Sequence, residues 1–179
     1  MTRHRLITRV WRRFGQSETG SATIEFVVLF PLVMSILLMG AESGWVMVQR
    51  VSLERAVDLS VRDIRLGRLA YGTTQEEFRS ELCARANLLS HCDERLLIEM
   101  RRIDMQSWNF PQEPARCIDL SEPIAPPTIF TIAGSEALML LRVCYLVRPI
   151  FPTTRLGLQL PLDGSGMFSL RTVSGFVTE

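Results

Sequence analysis

Glu25 is the residue whose type and place most need a chemical reason. It opens the stretch "EFVVLFPLVMSILLMGA", and from Phe26 to Ala41 no charge appears. A carboxylate carried toward mid-membrane costs about 2.5 to 3.5 kcal/mol on insertion scales, so one held there has a partner or a task by default. Conventional catalysis finds little support elsewhere. The two histidines are His4 and His91, "DGSGM" reads as a turn, and neither a Gly-x-Ser-x-Gly elbow nor a phosphate-cradling Gly loop occurs. Glu76 and Glu77 are neighbours on a helix and diverge, as carboxylates on a solvated face do. Cys92 beside His91 is too far from Cys83 for a metal-ligand spacing, and no second Cys-His pair exists. The reading is therefore not an enzyme, with no metal and no cofactor.

The element that must position Glu25 is a helix. The uncharged core of 16 residues, Phe26 to Ala41, is about 24 Å of helix. With its apolar flanks, Ala22 to Ile24 and Trp45 to Val48, it suits a bilayer whose hydrocarbon layer is about 30 Å thick, with Glu25 and Glu42 near the two interfaces. All 20 basic residues among the 179 are Arg; five precede Gly20 with one acid, which leaves fifteen Arg against eighteen acids beyond it, a net charge of −3. By the positive-inside rule the N-terminus stays in the cytoplasm and the remainder is exported. Two rivals stand beside this reading. One is a buried core helix, and the other is a secretory signal cut after Ala41-x-Ser43, which would give a mature chain starting at Gly44.

A small residue, four further residues and then Glu opening an apolar helix resembles the processing site of type IV prepilins, which are cut on the cytoplasmic side. Here the resemblance implies cleavage after Gly20, where the absent Cβ suits an exposed scissile backbone. Ser21 then gains an ammonium group, and Glu25 faces it at i, i+4 near the positive end of the helix dipole. The longer segment "GSATIEFVVLFPLVMSILLMGAESGWVMVQRVSLERAVDLSVRDIRLG" resembles the N-terminal module of the TadE-like family of the tight-adherence (Tad) pilus system. The matching features are Gly20, the pair Glu25-Phe26, the span end "GAESG", and the closing Arg62, Arg65 and Gly67. "LLRVCYLVRPIFP" and "FSLRTVSGFVTE" resemble the late part of the same family. The resemblance implies a minor pseudopilin of a Tad (type IVc) pilus, anchored once in the inner membrane with a periplasmic head. Its implied partners are a prepilin peptidase, other Tad pilins and pseudopilins, the inner-membrane assembly platform and the lipid bilayer. Alternatives are an uncleaved membrane-anchored periplasmic binding or sensory domain, and a type II secretion pseudopilin.

The expected organisation is a basic leader over 1–20, a transmembrane helix over 21–44, an amphipathic stalk helix over 45–70 and an α+β head over 71–179. Pro31 removes a backbone donor and predicts a kink, and Phe26, Pro31, Gly40 and Gly44 are the candidates for helix packing. Past the span, Val46, Leu53, Val57, Ser60 or Val61, and Ile64 keep one apolar stripe, and Arg50, Glu54, Asp58 and Arg62 follow at i, i+4. Thr74 with Glu77 predicts a capped helix whose apolar face, Phe78, Leu82, Ala86 and Leu89, runs to about Ser90. "RLLIEMRRI", "EALMLLRVCYLVRPI" and "MFSLRTVSGFV" read as strands of an antiparallel sheet on the stalk, with a proline-rich loop from Phe110 to Pro127. The four cysteines, Cys83, Cys92, Cys117 and Cys144, all fall in the exported part, and an even number there implies disulfides. They allow three pairings. The favoured one joins Cys83 to Cys92, bracketing the end of the short helix, and Cys117 to Cys144, tying the loop to a strand. Head arginines interspersed with acids, without an aromatic-basic stripe, point away from nucleic acid.

Overall fold

A computed structural model of the chain describes residues 21–69, 72–122, 126–134, 136–154 and 159–178. The leader and Gly20 lie outside the described residues. Six elements follow in order: α1 Ser21–Arg65, α2 Gln75–Arg85, α3 Cys92–Arg95, β1 Leu96–Ile103, β2 Leu138–Val147 and β3 Phe168–Val177. The chain divides into two compact units, one ending at Ala41 and one comprising Glu42–Glu179.

In the first unit the apolar side chains of α1 are exposed among the described residues. Ile24, Phe26, Val28, Leu32 and Leu37 are each more than half exposed, and none of the most apolar window is buried. A helix that is apolar all round and exposed among the described residues is consistent with a single membrane anchor and does not fit the core-helix rival, which needs burial. Pro31 lies inside this helix, and the hydroxyl of Ser35 donates to the Leu32 carbonyl at 2.8 Å, so the serine is satisfied within its own segment.

The second unit is built around the sheet. The remainder of α1 turns Leu53, Ala56, Val57, Ser60, Val61 and Ile64 inward, the stripe that the 3.6-residue spacing predicts, and of the charged ladder Arg50 and Glu54 pair at 3.0 Å. α1 stops at Gly67, which adopts φ 65; its N–H donates to Ile64 O at 3.0 Å and that of Arg68 to Asp63 O at 2.9 Å, the paired bonds of a glycine-terminated helix.

α2 starts with the expected capping box: Glu77 N–H donates to Thr74 Oγ1 at 3.2 Å, and Thr74 N–H to Glu77 Oε2 at 2.9 Å. It ends at Arg85, five residues short of the expectation. The Cys83–Cys92 disulfide is the physical reason. A continuous helix would separate those Cα atoms by about 13.5 Å, whereas the bridge holds them 5.6 Å apart. The chain folds back after Ala86, and His91 takes a left-handed conformation at φ 54 before α3 leads into β1. Ala86 and Leu89 stay buried despite leaving the helix.

The sheet has the order β1-β2-β3 and both pairings are antiparallel. One face sets Leu96, Ile98 and Met100 beside Tyr145, Val143 and Leu141, and joins the buried residues of α1 and α2 in a single hydrophobic core. The opposite face sets Glu99 beside Arg142, Leu97 beside Cys144, and Cys144 beside Arg171. Over this second face lies the proline-rich segment. The Cys117–Cys144 disulfide pins it, Arg142 donates to the Glu113 carbonyl at 2.6 Å, and Arg171 donates to the Ala115 carbonyl at 3.0 Å. At the outer edge of β1, Met100 exchanges backbone bonds with Ile129 and Thr131 at 2.9 and 3.0 Å.

Candidate functional site

The first candidate is the start of α1. Ser21 is the first helical residue and Glu25, exposed, lies one turn on. Phe26 stacks on Phe30 with ring centroids 5.1 Å apart, which stiffens one side of the apolar segment. Gly40 and Gly44 lie on α1, and a Cβ added at either would meet nothing within 4 Å. Nothing within the described chain therefore demands glycine at either place.

Where the second unit begins, Glu42 departs from expectation. Rather than standing at an interface, its side chain is fully buried. The carboxylate accepts the N–H of Ile150 at 3.0 and 3.1 Å through its two oxygens, and the N–H of Phe151 at 2.8 Å. Two successive amides turned toward one anion form a small concave donor site. Pro149 and Pro152 flank the pair, so the local chain carries few donors beyond those two. Two turns along the same helix face, Gln49 is also buried and its Oε1 has no hydrogen-bond partner among the described residues. Position on the buried stripe, seven residues before Gln49 and eleven before Leu53, is the one sequence signal that could have placed Glu42 inside.

Electrostatics elsewhere secure the joint between α1 and α2. Arg85 bridges Asp63 and Glu81, the latter at 2.7 Å, and Arg68 reaches Asp63 at 3.4 Å. The hydrogen bond from Arg85 holds the Asp63 carboxyl below its ordinary value of 3.8, with Arg85 and Arg68 adding charge attraction against the opposing effect of burial. Among the described residues there is no group of three or more His, Cys, Asp or Glu that could hold a metal ion. Both disulfides of the favoured pairing are formed, Cys83–Cys92 and Cys117–Cys144.

An exposed apolar helix with an acidic residue one turn in, continuing as an amphipathic helix to a glycine cap, is the arrangement to compare with known families. Residues 20–62 are TadE-like. They match the family model described as TadE-like protein, and the match covers nearly all of α1 and ends before the head elements begin. No curated protein and no solved structure matches the chain. The TadE-like segment thus contains Glu25, Phe26, Pro31, Gly40 and Gly44 as well as the buried Glu42.

Proposed function

We propose that the chain is a minor pseudopilin of a Tad pilus, cut by a prepilin peptidase after Gly20 and assembling through the apolar part of α1. The TadE-like family implies a Tad pilus assembly protein of structural rather than enzymatic kind, and the observation that carries the finer reading is the uncovered apolar helix that opens the matched segment. Residues 1–20 act as the cytoplasmic leader. Residues 21–41 cross the inner membrane once, and from Glu42, which is bound to the head, onward the chain lies in the periplasm, an oxidising compartment in which two disulfides persist.

After cleavage, the Ser21 ammonium and Glu25 stand at i, i+4 spacing and neutralise one another in a medium of low dielectric constant. Open space around Gly40 and Gly44 lets a neighbouring helix approach the backbone. Met47, Val48, Val51 and Leu59 leave a further apolar side of α1 exposed for packing against other pilins and pseudopilins or the assembly platform. Gly20→Leu and Glu25→Leu in the native host test the reading. Gly20→Leu is expected to leave a larger precursor on a gel and to abolish pilus production, and Glu25→Leu to give a membrane protein that no longer supports pili. Unchanged mobility and normal piliation in both variants would instead favour an anchored domain whose helix is never cut.

A further inference from the structure

The polar face of the sheet holds a cleft of about 440 Å³, within the range of small-ligand sites. Its floor is Glu99 and Arg101 of β1 and Arg142 of β2, and its walls are the strapped segment 109–116 and the segment 127–129. Arg142 is 5% exposed, a costly place for a guanidinium unless its donors are used. One Nη donates to the Glu113 carbonyl at 2.6 Å, and the other stands 3.4 Å from Glu99 Oε2. Glu99 is shared, since Arg101 Nε lies 3.9 Å from its other oxygen. Arg116 has no ion pair among the described residues, and Glu113 contributes its carbonyl rather than its carboxylate to Arg142. Three guanidiniums against two carboxylates leave the cleft with one positive charge in surplus.

We infer that this cleft binds a ligand carrying a single carboxylate on an apolar body. A guanidinium fork matches a carboxylate in two parallel hydrogen bonds, and Arg101 and Arg116 have donors to offer. One surplus charge suits a carboxylate better than a phosphate, which brings about −1.5 to −2 at neutral pH. Phe110, Pro114 and Ile129 provide the surface for the apolar body. The Cys117–Cys144 bridge and the two arginine-to-carbonyl bonds hold the wall in place before the ligand arrives, which lowers the ordering cost of binding. The same chemistry is present in a free organic acid and in a glutamate within a peptide.

The test uses the full chain in detergent micelles, titrated by calorimetry and by arginine side-chain NMR. The probes are 3-phenylpropionate and its neutral twin 3-phenylpropanamide, a capped peptide acetyl-Ala-Phe-Glu-Ala-amide and its Gln counterpart, and inorganic phosphate. At least one acid is expected to bind about tenfold tighter than its amide twin and tighter than phosphate, and the arm that binds identifies the source. Arg116→Gln, at an exposed position outside the strap contacts, is expected to reduce that preference about tenfold with the fold intact by circular dichroism; Arg101→Gln serves as the second variant. Equal binding of acid and amide, no binding of either at millimolar concentration, tighter binding of phosphate, or indifference to both substitutions overturns the assignment.

Discussion

Glu42 is a carboxyl group buried inside protein, and among the described residues what holds it is a pair of backbone donors. Its two oxygens take three hydrogen bonds from the consecutive amides of Ile150 and Phe151. Removing the acceptor leaves two part-buried amides without their partner, and a stranded donor costs about 1 to 3 kcal/mol where water does not reach it. Glu42→Leu is therefore expected to destabilise the head by about 2 kcal/mol or more, with Glu42→Gln less harmful because one oxygen remains. Denaturant unfolding of the detergent-solubilised chain measures both, and equal stability of Glu42→Leu and wild type would contradict the clasp.

Asp63 makes a different, pH-dependent prediction. Because Arg85 lowers its folded value, the carboxylate stabilises the fold fully above the ordinary value of 3.8, and that contribution disappears as pH falls through the lower folded value. Asp63→Asn should flatten the acid limb of a stability profile below about pH 4 while leaving its neutral-pH shape unaltered. A profile with the wild-type acid slope would show that Asp63 is not the group responsible. None of this was visible in the sequence, where Glu42 reads as an interface residue. Its partners lie more than a hundred positions away, in a segment with no motif.

At the level of elements, what could be read from the sequence is what is periodic. The stripe from Leu53 to Ile64 follows from its 3.6-residue spacing, the Thr74–Glu77 cap from its residue types, and the strands from short apolar runs between turn residues, since β2 is buried along nearly its whole length instead of alternating. The end of α2 was misplaced because a covalent link outweighs an apolar pattern: Ala86 and Leu89 keep their burial while the helix that would have carried them is broken by the Cys83–Cys92 bridge. Arg142 sits in an apolar run and looks anomalous there until the register places it opposite Glu99 on the strapped face.

The strap itself is testable. The Cys117–Cys144 loop spans 27 residues, and the chain-entropy relation gives about 3.5 kcal/mol for its closure. Replacing both cysteines by Ser should lower stability by up to about that amount and make the segment 109–116 the first site of limited proteolysis. Unchanged stability and an unaltered cleavage pattern would mean that the arginine bonds alone hold it.

For the molecule as a whole, two units divide the work. One presents an apolar helix whose side chains are exposed among the described residues, and the other a disulfide-bonded α+β head whose polar sheet face is roofed by a loop. The TadE-like match covers residues 20–62, the apolar helix and the first part of the second unit; the two late segments that resemble the same family lie outside it, and there the fold is legible from strands and cysteines. The proposed function depends on the junction between Gly20 and Ser21, where cleavage creates the ammonium that Glu25 neutralises. Sequencing the N-terminus of the mature protein from native membranes tests that junction directly. The account predicts a chain that starts at Ser21, and one that starts at Met1 or at Gly44 would contradict it.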